Sequence, residues 1–388
     1  MDTMKQRRRM PRQGRGGNMV IIVLLLLTTI ISATLAAVFG IGYVQGNQER
    51  GALVAEYEAR IAQLEAAAPA NSDSLDVPEA DTDTTSKEYV EVMGDGENAI
   101  DISALLQDKE NELEASIKER MKELVMAEDG SPLKMLRSFF PENLIYADQD
   151  EYVFAPVLDG VKKHNYSEEN FVETDDGEMQ YIENGTVVSH KGIDVSKYQG
   201  DIDWAAVASD GVEYAFVRLG LRGYGSGKLV LDEYFDQNMR GAKEAGIKTG
   251  VYFFTQAITV EEAIEEADYV LENITGYDVS YPVVFDVEMI VNDDGRANGL
   301  SQKDRTDITI AFCDRIKAAG FTPMIYGNVK CFTKLLDMTR LNDYEKWYAF
   351  YDDYMYMPYE VGIWQYTEKG KVAGINTGVD LNISYKEY

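Results

Sequence analysis

Residues 281–288 read Tyr-Pro-Val-Val-Phe-Asp-Val-Glu, an apolar run that ends in two carboxylates, Asp286 and Glu288. Because side chains on a β-strand alternate between its two faces, these two acids point the same way. Burying two neighbouring acids costs roughly several kcal/mol unless they are paired or kept partly protonated. The pattern indicates acid/base chemistry at a strand end. A buried ion pair or a polar network that fills a barrel is the structural alternative.

The charge of the chain is strongly negative, at −30 over 388 residues. Residues 1–18 are the exception, with six basic residues against Asp2. An acidic surface of this kind repels nucleic acid, and no basic stripe with interleaved aromatic residues occurs after the tail. We therefore expect no nucleic-acid partner.

Histidine and cysteine usage limits the chemistry further. The only histidines, His164 and His190, lie upstream of residues 191–388, which disfavours Ser-His-Asp, Cys-His and His-based zinc sites there. Cys313 and Cys331 lack metal-ligand spacing and are either a disulfide or, as we prefer, two buried thiols. We expect no cofactor and no metal, so carboxylates must carry any chemistry.

The N-terminal region has the pattern of a membrane anchor. Residues 19–43 form an apolar run without a charged residue, and the basic tail 1–18 precedes it. The length suits a transmembrane helix, and the positive-inside rule places the tail in the cytoplasm and the rest of the chain outside. The alternative is a cleaved signal peptide with its apolar core at 20–31 and its cleavage site at 34–36, which would make the protein secreted.

Four segments separate this span from the main domain. Residues 44–68 have the spacing of a juxtamembrane helix or short coiled coil, which allows weak self-association. Residues 69–100 are acidic and poor in large apolar residues, as in a disordered linker. Residues 101–138 read as a charged helical region. Residues 139–190 read as a small β-rich module, a meander with a type I′ hairpin at Asn184-Gly185, and its expected role is packing or spacing.

Strands and helices alternate through residues 191–388 and then give way to strands alone. The pattern predicts an α/β fold, a TIM-like (β/α)5(β)3 barrel. The predicted strands are 192–195, 214–219, 248–254, 281–288, 321–327, 346–351, 361–366 and 380–384, and the predicted helices are 204–209, 232–245, 259–273, 302–319 and 329–338.

Active residues of such barrels lie at the C-terminal ends of the strands. Asp194, Asp286, Glu288 and Asp380 would then converge from distant parts of the sequence. In addition, residues 191–388 resemble glycoside hydrolase family 25, the lysozymes that act as N-acetylmuramidases. The resemblance rests on GIDVSKYQGDIDW at 192–204, VVFDVE at 283–288, YGN at 326–328, WYAFY at 347–351, IWQYT at 363–367 and VDLN at 379–382.

The resemblance implies that Glu288 is the proton donor and Asp286 its partner, while Asp194 and Asp380 complete an acidic pocket. We prefer a route in which the substrate's own acetamido carbonyl attacks the anomeric carbon while Asp286 orients it. We expect the sugar-binding residues at strand positions that face the same mouth, with Gln365 as a hydrogen-bonding group. The expected set is Tyr252, Tyr326, Trp364 and Gln365.

The expected function is cleavage of the β-1,4 bond between N-acetylmuramic acid and N-acetylglucosamine in peptidoglycan, outside a bacterial cell membrane. The alternative is a non-catalytic glycan-binding or scaffolding protein on the same barrel. Since all four acids lie within residues 191–388, we expect this fragment to fold and act alone unless residues 139–190 belong to its core.

Overall fold

The computed structural model of the protein describes residues 102–127, 130–291 and 293–388. The predicted tail, membrane span, juxtamembrane helix and acidic linker all fall within residues 1–100, outside the described part, and stay predictions. Across the three described ranges, no helix is long and apolar enough to cross a bilayer.

The chain divides into two compact units, residues 1–142 and 143–388. In the first unit, helix α1 spans Ile102–Met126 and helix α2 spans Pro132–Phe139. Exposed ion pairs one turn apart run along α1, and the Ser131 hydroxyl caps the first turn of α2. Helix α1 lies within residues 101–138, where the sequence predicts a charged helical region.

The second unit begins with two small antiparallel sheets. The Asn184-Gly185 pair between the last two strands has positive φ at both positions, as a type I′ turn requires, so the predicted hairpin is confirmed. The strands are β1 (Asn143–Asp148) paired with β2 (Glu151–Pro156), and β3 (Phe171–Glu173), β4 (Met179–Glu183) and β5 (Thr186–Val187) in a meander.

The nine following strands form one sheet, and eight of them close into a barrel because β6 pairs with both β7 and β14. Neighbouring barrel strands are parallel except for β14, which is antiparallel to both neighbours. The short strand β8 extends β7 as a hairpin that the sequence did not predict. The strands are β6 (His190–Val195), β7 (Tyr214–Arg222), β8 (Leu229–Leu231), β9 (Lys248–Phe254), β10 (Val283–Asp286), β11 (Pro323–Asn328), β12 (Glu345–Ala349), β13 (Ile363–Gly370) and β14 (Val379–Ser384).

Four α-helices connect the first five barrel strands, as expected for a (β/α)5(β)3 barrel. A five-residue π-helix, Cys331–Leu335, stands where a helix was predicted at 329–338. The last three strands follow without α-helices, so the predicted architecture is confirmed. The helices are α3 (Trp204–Ser209), α4 (Phe235–Glu244), α5 (Val260–Asn273) and α6 (Gln302–Ala318).

Aromatic side chains fill the inside of the barrel. Because successive side chains on a strand point to opposite faces, the other side chains of each strand point outward and pack under the helices. Inside, Phe216 stacks on Trp347 with ring centroids 4.5 Å apart. Gly192 is required beside Tyr214, because a Cβ at residue 192 would lie 2.1 Å from that ring. Outside, Phe285 of β10 stacks on a phenylalanine of α6 at 4.3 Å.

The segment before β6 packs into the same unit as the barrel. The Tyr356 hydroxyl accepts a hydrogen bond from the Ile145 N–H at 2.8 Å and donates to the Asn143 carbonyl at 3.0 Å. Tyr166 stacks on Tyr385 with centroids 4.1 Å apart. The β-rich module therefore contributes to the core of residues 143–388 and is not a spacer alone.

We predict that a fragment of residues 143–388 folds and that one of residues 191–388 is much less stable. Truncation at residue 191 exposes Tyr385 and Trp364, which lose aromatic contacts worth on the order of several kcal/mol, against a total stability of about 5–15 kcal/mol. Thermal unfolding of both fragments checks this. Equal melting temperatures would show that the module adds nothing to the core.

Candidate active site

The four predicted carboxylates lie at one end of the barrel. Asp194 is on β6, and Asp286 is the last residue of β10. Because β14 is antiparallel, its beginning lies at the same end, and Asp380 pairs in register with Asp194. Glu288 follows two residues after the end of β10 and is partly buried. The structure therefore brings all four predicted acids to the mouth.

Two side-chain amides hold the Asp194 carboxylate. Its Oδ2 accepts hydrogen bonds from Gln365 Nε2 and Asn382 Nδ2, each at 2.8 Å. The hydroxyls of Tyr326 and Tyr351 both donate to Gln365 Oε1 at 2.8 Å, which fixes the direction of that amide. The Asp194 side chain is thereby fixed in orientation at the base of the site.

A hydrogen bond from inside the barrel fixes the orientation of the Asn382 amide. The indole N–H of Trp347, inside the barrel, donates to Asn382 Oδ1 at 2.7 Å, so the amide nitrogen is left to face Asp194. Both amide atoms of Gln365 are also occupied within the protein. Gln365, predicted to bind sugar, thus acts first as a positioning group for Asp194.

Asp286 is almost fully buried, and its Oδ1 has no hydrogen-bond partner among the described residues. Burial raises the pKa of Asp286 well above its ordinary value, the neighbouring Glu288 and Asp194 raise it further, and Arg218 acts in the opposite direction. A buried carboxylate oxygen without a donor is costly. In its ionised form, Asp286 therefore has an acceptor oxygen left for the N–H of a ligand.

The other three acids also have raised pKa values. Burial is the first cause in each case, and it raises the pKa of Asp194 and of Glu288 to about 6 and that of Asp380 to about 8. Repulsion adds to burial, from Asp380 on Glu288 and from Asp194 on Asp380. The cluster therefore retains protons near neutral pH, which is what a general acid needs.

Two of the predicted aromatic residues lie at this mouth. Tyr326 is in register with Asp286 on the neighbouring strand. Tyr252 is partly buried on β9, and burial together with the nearby Asp194 holds its phenol pKa well above the ordinary value. Both rings make edge contacts with Trp347, with centroids 6.3 Å from Tyr252 and 4.7 Å from Tyr326. They form an aromatic wall beside the acids.

Trp364 does not belong to this wall, which corrects the expectation. Its side chain is fully buried, its indole N–H donates to the Phe350 carbonyl at 2.7 Å, and Phe171 packs edge-on against it at 5.4 Å. Since neighbours on a strand face opposite ways, Trp364 and Gln365 cannot both face the mouth.

Sequence reasoning missed Asn382, Tyr351 and Arg218. Asn382 had a readable signal, because it lies two residues after Asp380 and so shares its face of the strand. Arg218 is buried, and its Nη2 lies 2.7 Å from Asp232 Oδ2. The Tyr198 ring lies 5.0 Å from its guanidinium carbon. Arg218 also had a readable signal, because it lies in the apolar strand predicted at 214–219 and shares a face of that strand with Tyr214 and Phe216.

No group of three or more His, Cys, Asp or Glu side chains in the described part of the chain is arranged to hold a metal ion. The arrangement of the four carboxylates is suited to proton transfer.

Comparison with known proteins gives a match of residues 193–375 to the family model described as glycosyl hydrolases family 25. The match includes Asp194, Asp286 and Glu288 and ends just before Asp380. Residues 139–190 lie outside it.

Two curated relatives each match half of the chain. The uncharacterized protein YegX of Escherichia coli K12 is 30% identical over 203 residues, which are 50% of this chain and 68% of that protein. The autolytic lysozyme of Clostridium acetobutylicum is 26% identical over 198 residues, 50% of this chain and 55% of that enzyme. The chain thus spans about half the length of the clostridial enzyme.

Among solved structures, the modular autolysin LytC of Streptococcus pneumoniae, solved with a synthetic peptidoglycan ligand, is 26% identical, with a TM-score of 0.46. The alignment covers 55% of this chain and 52% of that one.

We predict that neutralising Asp380 stabilises the protein at neutral and higher pH. Its folded pKa of about 8 lies above the ordinary value of 3.8, so its contribution to stability is full below about pH 4 and is lost as the pH rises through about 8. Asp380→Asn should therefore melt like the wild type at about pH 4 and at a higher temperature at about pH 8.

The matched control is Asp175→Asn, at an exposed turn position, which should melt like the wild type at both pH values. A difference between Asp380→Asn and wild type that does not change with pH would show that Asp380 is not held protonated by its surroundings.

Proposed function

The chain is a glycoside hydrolase that belongs to glycosyl hydrolases family 25, and from this premise we propose that it is a peptidoglycan muramidase. The proposed reaction is hydrolysis of the β-1,4 bond between N-acetylmuramic acid and N-acetylglucosamine. The observation that carries the proposal is the pairing of Asp286 with Glu288 in a buried acid cluster, with raised pKa values, at the mouth of a closed barrel.

Glu288 is the proposed general acid and then the general base. A pKa of about 6 leaves Glu288 about half protonated at pH 6 and about a tenth protonated at pH 7. The protonated carboxyl can donate to the glycosidic oxygen and afterwards accept a proton from water. Its position just past the end of β10, less buried than Asp286, suits contact with a substrate that lies across the mouth.

Asp286 is proposed to assist the acetamido group of the substrate. Its Oδ1 lacks a donor, and a substrate N–H would supply one. A hydrogen bond to the charged form lowers a carboxyl pKa, so substrate binding would leave Asp286 ionised and the shared proton on Glu288. The acetamido carbonyl then attacks the anomeric carbon while Asp286 stabilises the positive charge that develops on the acetamido group.

Asp194 and Asp380 are proposed to help keep the pKa values of Asp286 and Glu288 raised through charge repulsion. Tyr252 and Tyr326 are the proposed sugar-contacting rings. Gln365 positions Asp194 through its amide nitrogen. The rival function is a non-catalytic glycan-binding protein on the same barrel. It is disfavoured because a binding protein has no need of a buried acid held protonated.

We also propose that the protein is tethered outside the cytoplasmic membrane through residues 19–43. The support is the sequence: an apolar run of spanning length after an arginine-rich tail. Residues 69–100 would reach on the order of 30 Å as a flexible coil. Such a linker would let the barrel reach glycan strands away from the anionic lipid surface.

Replacing Glu288 by Gln should lower the rate of peptidoglycan hydrolysis by at least about 100-fold, because a general acid contributes about 10²–10⁴-fold and the amide cannot donate the proton. Release of reducing ends from purified peptidoglycan measures the rate. Glu244→Gln, at an exposed position on α4, is the matched control and should keep the wild-type rate. A Glu288→Gln rate above a tenth of wild type would exclude Glu288 as the general acid.

For the tether, protease added to intact wall-stripped cells should release an active fragment by cutting within residues 69–100, and leave an anchored stub. The proposed orientation exposes the linker and the barrel on the outside. A mature protein that begins near residue 37 and is found in the medium would instead identify a cleaved signal peptide.

A further inference from the structure

Glu288, the proposed general acid, lies in the loop that joins β10 to α6. Strand β10 ends at Asp286, and α6 begins at Gln302. Val287 is still attached to the sheet, because its N–H donates to the Tyr326 carbonyl of β11 at 3.1 Å. Glu288 follows directly, so the contacts that hold this loop also decide where the Glu288 carboxyl lies.

A second anchor follows at Ile290. The side-chain amide of Asn298 binds both polar groups of the Ile290 backbone, since Oδ1 accepts from the N–H at 3.0 Å and Nδ2 donates to the carbonyl at 2.9 Å. Only this orientation of the amide pairs a donor with an acceptor at both contacts. Glu288 and Met289 form no backbone–backbone hydrogen bond among the described residues. Glu288 therefore lies between two fixed points, Val287 and Ile290.

The loop closes tightly around the Asn298 amide. The Asn298 N–H donates to the Gly295 carbonyl at 2.9 Å. Gly295 packs directly against Ile290, because a Cβ at residue 295 would lie 2.7 Å from the Ile290 Cβ and 3.0 Å from Asn298 Oδ1. Glycine permits this close approach of the backbone. The amide of Asn298 is thereby held at a fixed distance from the Ile290 peptide.

Arg296 attaches the same loop to helix α5. Its Nη1 and Nη2 donate to the two carboxylate oxygens of Glu262 at 2.9 and 2.8 Å, and Nη1 also donates to the Gln256 carbonyl at 3.2 Å. A bidentate arginine–carboxylate pair is strong and directional. From α6, the Arg305 guanidinium donates to the Ala297 carbonyl. Both neighbouring helices therefore hold the segment that carries Asn298.

We propose that Asn298 is a positioning residue for the general acid Glu288. By holding the Ile290 peptide, Asn298 fixes the backbone that follows Glu288, and with it the direction in which the carboxyl enters the mouth. Arg296 supports this arrangement through α5. The proposal rests on the proposed muramidase function and deepens it, because it gives a residue outside the acid cluster a role in the same reaction.

The kinetic test uses Asn298→Ala, which removes both hydrogen bonds to Ile290 and leaves the four acids in place. On purified peptidoglycan kcat should fall about tenfold to a hundredfold, because a displacement of about 1 Å at a reacting group can cost that much. KM should stay within about twofold of wild type, since the substrate contacts are unchanged. A wild-type kcat for Asn298→Ala would overturn the proposal.

The matched control is Asn273→Ala, at the last residue of α5. Asn273 is also partly buried, and its side chain also donates to a backbone carbonyl, that of Tyr269 at 2.8 Å. This variant should keep the wild-type kcat. Asn298→Gln is a second, milder variant that keeps both polar groups one methylene further out, and its kcat should lie between those of wild type and Asn298→Ala. A wild-type kcat for Asn298→Gln would also contradict the proposal.

The titration of Glu288 gives a readout that does not depend on turnover. Burial is the first cause of its raised pKa, so a carboxyl that moves towards solvent in Asn298→Ala should titrate below about pH 6, nearer its ordinary value of 4.5. NMR of ¹³C-labelled glutamate carboxyls measures this, with the Glu288 signal identified by its absence in Glu288→Gln. Asn273→Ala should titrate as the wild type.

The groups that face Glu288 are the same in all these variants, so a changed titration reports a displacement of Glu288 itself. These groups are Asp194, Asp286, Tyr326, Cys331, Tyr351 and Asp380.

Failure of this proposal and failure of the muramidase function give different results. A wild type that does not hydrolyse peptidoglycan, with a Glu288 titration that Asn298→Ala shifts, would refute the muramidase function and support the positioning of Glu288. An active wild type whose Glu288 titrates alike in Asn298→Ala would refute the positioning role alone.

Discussion

The burial of four carboxyl groups at one end of a closed barrel is the constraint on which the rest of the structure depends. Each acid is costly to ionise there, because burial and its neighbours both oppose a second and third negative charge. The protein offsets part of that cost with amide donors on Asp194 and with the buried Arg218 near Asp286. The part of the ionisation cost that these groups do not offset raises the pKa values of the acids. Acid/base chemistry near neutral pH requires such raised pKa values.

The groups that support the acids come from strands far apart in sequence. The Asp194 carboxylate on the first barrel strand is held by Gln365 and Asn382, from the last two. Trp347 orients Asn382 from inside the barrel. Barrel closure is thus a condition of the site as well as of the fold, since β6 and β14 must pair before these amides can reach Asp194. A site of this kind trades stability for function.

Much of the fold was readable from the sequence because strand and helix periods are local properties. The apolar run before Asp286, the alternation of predicted strands and helices and the final strands without helices were enough to predict the barrel and its acids. The Trp364 assignment failed although alternation along the strand already placed it opposite Gln365. The module's contact with the barrel was not readable, because Ile145 and Tyr356 are 211 residues apart and neither has a local signal for the other.

The most direct test of the central claim, that the acid cluster cleaves the muramyl bond, is the identity of the new reducing end. Products from purified peptidoglycan are reduced with borohydride and analysed by mass spectrometry. The account predicts reduced N-acetylmuramic acid at the new ends formed by the wild type, and almost none with Glu288→Gln. Reduced N-acetylglucosamine at those ends, or solubilisation without new reducing ends, would contradict it.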